Sequence, residues 1–188
     1  PERRRLINAL VEAEEINIIG LTNSHLAGHL KQALEERRER SLGFWRSLTI
    51  VFASAEFLER LPSERTDSEN IRTALARHQA WLQGKREVLQ FLLSLNSEWR
   101  DNWSCREYQH NLPFVGVLHT HARGQGLRIA HILPGRDLRE ALYIELEGGT
   151  PLFEQTAEAI RRICKTSRQI VEWILLGTVA GKETLRIE

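Results

Sequence analysis

The chain of 188 residues reads as a single α/β domain, 1–188, of mixed α+β character. Its mixed sheet has parallel strands in the amino-terminal half, antiparallel hairpins in the carboxy-terminal half, and helices on both faces. Three observations predict this. Two short apolar, β-branched runs, Ile16–Leu21 and Leu48–Ala53, flank one helical segment, and strand, helix, strand within about 40 residues implies a right-handed crossover between parallel strands. Three later β-rich runs, 113–121, 127–133 and 141–146, are joined by connections too short for a crossover, so they pair as hairpins. Long apolar repeats at helical spacing lie between and after these runs.

Taken in order, Glu2–Glu15 places Leu6, Ile7, Leu10, Val11 and Ala13 on one helical face. The first strand follows, and Thr22-Asn23-Ser24 then offers three N-caps before Leu26, Leu30, Ala33 and Leu34. Glu35 to Arg40 mixes both charges and reads as a solvated helix end. The second strand closes on Ser54, and Pro62–Ser68 is a polar loop. Glu69 to about Asn96 carries Ile71, Leu75, Trp81, Leu82, Val88, Leu89, Leu92 and Leu93 as a long helix, with a bend expected at Gly84. Trp99, Trp103, Cys105 and Tyr108 sit among polar residues. The turns of the hairpin region fall at Arg123-Gly124-Gln125-Gly126 and Pro134-Gly135-Arg136-Asp137. Pro151 opens a helix to about Leu176, and the tail ending Leu185-Arg186-Ile187 reads as an edge strand or a loose end.

Composition bounds the function classes. Apolar residues make up 41% and charged residues 27%, which suits a folded globular chain rather than a disordered one. The net charge is +1, and the arginines are interleaved with glutamates, so this domain gives no indication of a nucleic-acid partner. No apolar run reaches the roughly 18 residues of a membrane span. Cys105 and Cys164 are isolated, without a CxxC pair or a secretory leader, which points to a reducing, cytoplasmic compartment. The chain begins at Pro1 and contains no methionine, so it reads as a domain of a longer protein whose other domains are its first expected partners.

Two places carry candidate chemistry. Thr22, Asn23 and Ser24 follow the first strand and Ser54 follows the second, so all four face the crevice beyond the carboxyl ends of parallel strands. Helix N–H groups in such a crevice suit a small anionic ligand such as a nucleotide. The plainer reading is that Thr22 or Ser24 caps its helix, and no glycine-rich phosphate loop is present. The second place is "GVLHTHARGQGLRIAHILP", residues 116–134, with His119, His121 and His131. Strand periodicity puts His119 and His121 on one face. A two-residue loop at Gly124-Gln125 would leave His131 on the other face, and a three-residue loop centred on Gln125 would set it opposite His119. In that second register three imidazoles could hold zinc with an open position. The alternative is an amphipathic strand whose histidines bind nothing, and no metal or other cofactor is assigned. Glu145 and Glu147 share a face of the third β run, as a carboxylate pair or as solvated glutamates. No GxSxG motif occurs, and neither cysteine has a histidine nearby in sequence.

The opening pattern "EINIIGLTNSHLAGHLKQALEERRERSLGFWRSLTIVFAS" resembles the start of a phospholipase-D-like domain, and the order of elements from about residue 3 to 175 is similar throughout. Active members of that family carry His-x-Lys and, beyond it, an aspartate, with histidine as nucleophile and lysine for phosphate. The "HLKQALEE" stretch supplies His29, Lys31 and Glu36, but on a helix residues two apart lie about 200° apart around the axis, so this pair cannot serve one phosphate. Where the family's catalytic strand falls, this chain reads His119-Thr120-His121 and then Gly126 in place of aspartate. His119 matches the nucleophile position; lysine and aspartate are missing. The resemblance implies a degenerate member, of the kind attached to helix-turn-helix or NTPase modules in bacterial regulatory and defence proteins.

Three readings follow. The first is a non-catalytic module for ligand sensing or oligomerisation, as a homodimer for example, with the crevice of Thr22, Asn23, Ser24 and Ser54 as its site. The second is a hydrolase, metal-dependent or of phosphodiesterase type, using His119 and His121 with His131 or Glu145. The third is a plain protein-interaction domain that presents residues 99–108.

Overall fold

A computed structural model describes residues 2–23, 25–60, 67–110, 112, 114–131 and 143–170. Helix α1 (Glu2–Glu12) leads into strand β1 (Glu15–Gly20), helix α2 (Leu26–Glu39), strand β2 (Ser47–Ala53), a short helix α3 (Ala55–Arg60) and the long helix α4 (Asp67–Leu93). A 3-10 turn, Ser97–Asn102, precedes strands β3 (Trp103–Tyr108), β4 (Phe114–His121), β5 (Gly124–His131) and β6 (Ile144–Glu147). Helix α5 (Pro151–Thr166) and the two-residue strand β7 (Arg168–Gln169) complete the described elements.

The strands form one mixed sheet in the order β6-β5-β4-β1-β2-β3-β7. Strands β1, β2 and β3 are parallel, with Ile18 beside Ile50 and Ile50 beside Cys105. The remaining pairings are antiparallel. Helices cover both faces. Consecutive strand residues point to opposite sides; on β3, Glu107 meets Lys85 of α4 at 3.0 Å while Arg106 donates to the Ser167 carbonyl just after α5 at 3.1 Å. The crossover helix α4 and the terminal helix α5 therefore flank the sheet from opposite sides. Burial follows from this. Ile16, Leu48, Ile50, Val51 and Phe52 on the central strands are shut off from water, as are Leu30 of α2, Leu92 of α4 and Phe153 of α5.

The third parallel strand, β3, is absent from the sequence expectation because Trp-Ser-Cys-Arg-Glu-Tyr lacks a β-branched apolar run. Only Cys105 of its six residues is fully buried, and its polar residues are held by the partners just described. Helix α5 stops at Thr166 rather than near Leu176. Ser167 takes extended dihedrals (φ −71, ψ 146), its hydroxyl donates back to the Ile163 carbonyl at 2.5 Å, and the Ile170 N–H donates to the Cys105 carbonyl at 2.9 Å. The chain thereby leaves the helix to pair with β3. Helix α4 runs through Gly84 as one element. The Pro134–Asp137 turn and the tail from Gly177 lie outside the described residues.

Arg37 corrects the expectation of a solvated α2 end, because it is only 4% exposed. Its Nη1 donates to the Val11 and Ala13 carbonyls at 2.5 and 2.6 Å, and its Nε donates to the Gly43 carbonyl at 2.9 Å. The last carbonyls of α1 have no intrahelical donors, and a guanidinium supplies several from one fixed fork. Trp45 closes the same corner, fully buried with its indole N–H donating to the Leu10 carbonyl at 2.8 Å. No helix among the described residues is long and apolar enough to cross a membrane.

Candidate functional site

The two candidate places lie at opposite ends of the sheet. His119 pairs with Ile16 near the start of β1, whereas Thr22, Asn23 and Ser54 follow the carboxyl ends of β1 and β2.

At the carboxyl end the turn after Gly20 is tight. Asn23 adopts φ 48 and His25 φ 70, left-handed conformations that are unusual for non-glycine residues. The Asn23 amide donates to the Val51 carbonyl at 3.3 Å and fills the space a Gly20 side chain would need. Gly20 thus lets the loop fold back on the strand that it has just left. Helix α2 begins with His25 in the N-cap position, and the His25 side chain makes no cap bond to its first turn. Thr22 is partly buried, and Ser24 lies outside the described residues. Ser54 is buried, and its hydroxyl accepts the Phe57 N–H at 3.2 Å, capping α3. Two of the four sequence candidates therefore carry structural hydrogen bonds at the rim of the crevice.

A groove of ≈ 520 Å³ between α2 and α4 starts at Ala27 and Gly28, in the first turn of α2, and passes Lys31, Arg38 and Phe91. Sequence reasoning overlooked it, although Ala27, Lys31 and Arg38 recur at helical spacing on one side of α2. At its far end Arg38 covers the Trp99 ring at 5.5 Å, and Trp99 stacks on Phe44 at 4.9 Å. Trp99, Trp103 and Tyr108 all pack against the core. The aromatic segment is thus divided between the 3-10 turn and β3.

The histidine stretch takes neither of the two registers expected from its sequence. The turn is Ala122-Arg123, so His121 faces Gly124, His119 faces Gly126, and Phe114 faces His131. His131 is five residues up the ladder from His119, roughly 17 Å at the usual rise per residue. The register therefore does not set His131 opposite His119 or His121. Among the described residues no three His, Cys, Asp or Glu side chains are grouped to hold a metal ion.

His119 and His121 do share a face, on the side of the sheet away from α5, since Gln125, which donates to Thr120 between them, accepts from Arg161 of α5. Their rings stack at 5.8 Å. The His119 ring lies across Gly126, where a Cβ would come within 2.5 Å of Cε1 and 2.6 Å of Nε2. Its Nδ1 is closed to solvent and has no hydrogen-bond partner among the described residues. Burial first, and His121 second, push the His119 pKa below its ordinary value, while Glu145 opposes them. The His121 Nδ1 accepts the Arg123 N–H at 3.2 Å. Further along the same face Arg128 sits 4.5 Å from the Tyr143 ring and 4.0 Å from Glu145.

This arrangement disfavours the charged form of His119 but gives it no orienting acceptor on Nδ1 among the described residues, the role that the third member of a catalytic triad fills. Lys31 and His29 lie on helix α2, far from strand geometry. Both cysteines are free and buried, with thiols pushed up to about 12 by burial, which leaves them without the thiolate character that nucleophiles need. No family model matches the chain, and no curated protein is significantly similar to it.

Proposed function

We propose that this chain is a non-catalytic sensing module of phospholipase-D-like type within a larger bacterial regulatory or defence protein. In this reading a small anionic ligand such as a nucleotide occupies the crevice of Thr22, Asn23, Ser24 and Ser54 and extends into the groove along α2. Two buried, unpaired thiols support a reducing cytoplasm as its setting.

The observation that carries the non-catalytic reading is the state of His119. Its ring packs on Gly126 at the aspartate position of the family signature, and its Nδ1 lacks an orienting partner. A phosphodiesterase nucleophile needs that partner, and the cation on this face, Arg128, is turned to Tyr143 and Glu145. The sensing half of the reading rests on the α2 terminus: its N-cap residue His25 makes no side-chain cap bond, and the groove opens on Ala27 and Gly28 with Lys31 one turn further. The Leu26 N–H already donates to the Asn23 carbonyl at 3.0 Å, and the helix dipole favours an anion beside the rest of that turn.

The test is a thermal-shift series with ATP, ADP, GTP and orthophosphate. A concentration-dependent rise of the unfolding midpoint with at least one nucleotide, reduced in Lys31→Ala, is the expected result. No rise with any of them overturns the sensing reading and leaves homodimer formation as the output to examine by sedimentation.

A further inference from the structure

We propose that the outer edge of β6 is a docking site for an extended segment of a partner protein in which basic and apolar residues alternate. Among the described residues β6 pairs only with β5 and ends the sheet. A sheet edge presents a row of backbone donors and acceptors that an incoming strand can satisfy. Two consecutive large apolar side chains, Tyr143 and Ile144, are 39% and 42% exposed at this edge.

The two faces of the edge differ in chemistry, and that difference specifies the partner. Glu145 lies opposite Arg128 and Glu147 opposite Gly126, on the histidine-bearing face, and both carboxylates are exposed. Ile144 and Leu146 lie opposite Ile129 and Leu127, on the other face, where the two partners are buried. An added strand has a period of two residues. Its residues on the first face would meet Glu145 and Glu147, and those on the second would extend the apolar surface of Ile144 and Leu146. Alternating lysine or arginine with valine, isoleucine or leucine satisfies both faces. A second copy of this chain does not: the two-fold antiparallel registers that fully overlap Ile144–Glu147 set glutamate against glutamate, and like charges directly opposite are destabilising.

The experiment uses the full chain with two six-residue probes, one alternating lysine and valine, the other alternating glutamate and valine, and reads amide hydrogen exchange. The lysine probe is expected to slow exchange of the outward amides of Ile144–Glu147 about tenfold, the glutamate probe to leave them unchanged, and Glu145→Lys/Glu147→Lys to reverse that preference. Failure of both probes, or equal protection by both, overturns the proposal. It is also overturned if these amides are already protected in the free monomer, which would place a segment of the chain itself on the edge, or if protection requires self-association. The two probes on the unsubstituted chain decide the matter even if the double variant does not fold.

Discussion

His119 and Gly126 occupy the same place on the sheet: the imidazole lies over the glycine, in the space that any side chain at 126 would fill. The pairing favours this hairpin register, because a residue without Cβ leaves room for the ring where β4 and β5 face each other. Gly126→Ala is expected to destabilise the fold by about 1–3 kcal/mol, the usual range for overpacking. In a His119→Ala background the same substitution loses most of that effect. Urea denaturation of the four proteins of the cycle measures the coupling, and additive losses would show that the ring yields freely.

Acid should weaken the fold through the same imidazole. Burial and the neighbouring His121 depress the His119 pKa from its ordinary 6.5, so the folded state binds this proton less readily than the unfolded state. The stability contributed by neutral His119 is complete above about pH 6.5 and is lost as pH falls toward the depressed folded value, with a slope of at most about 1.4 kcal/mol per pH unit. Urea midpoints measured from pH 7.5 to 5 should fall less steeply in His119→Gln. An unchanged slope would assign the acid sensitivity to other groups.

Replacing Arg37 by methionine keeps the apolar stem but removes the donors to Val11, Ala13 and Gly43. Several buried acceptors then lose their partners, at an expected loss of about 3 kcal/mol or more. Arg37→Lys should lose less, about 1–2 kcal/mol, since a single ammonium cannot reproduce the fork. Thermal unfolding reads both, at roughly 2–4 °C per kcal/mol for a chain of this size.

Thiol reactivity offers a check on burial at β3 and α5. With Cys105 and Cys164 pushed up to about 12, only about one thiol in ten thousand is ionised at pH 8. Neither should react with an aromatic disulfide reagent in the native state, and both should react once urea unfolds the chain. Rapid native modification would contradict their placement.

The parallel start of the sheet and the later antiparallel strands follow from apolar runs and connection lengths, and they appear as expected. The hairpin register does not follow, because "ARGQG" offers glycines at both 124 and 126. The choice between them is made by contacts across the strands: Gly124 takes φ 147 at the first paired position and Gly126 lies under His119. The Ala122-Arg123 turn lacks the Asn-Gly signature that marks two-residue hairpins. Arg37 was hidden for a similar reason. In a run of alternating charges nothing local distinguishes the one arginine that turns inward toward the carbonyls of a preceding helix. The groove along α2 needs α4 beside it, and that packing is set by the crossover rather than by either helix alone.

The central claim, a sensing module without catalysis, is tested most directly by titrating ATP into the isotope-labelled chain while following backbone amide and phosphorus resonances together. The predicted result is saturable perturbation centred on Leu21–Lys31, silence at His119 and His121, and nucleotide that stays intact. Perturbation centred on His119, His121 and Arg128 with consumption of the nucleotide would contradict it.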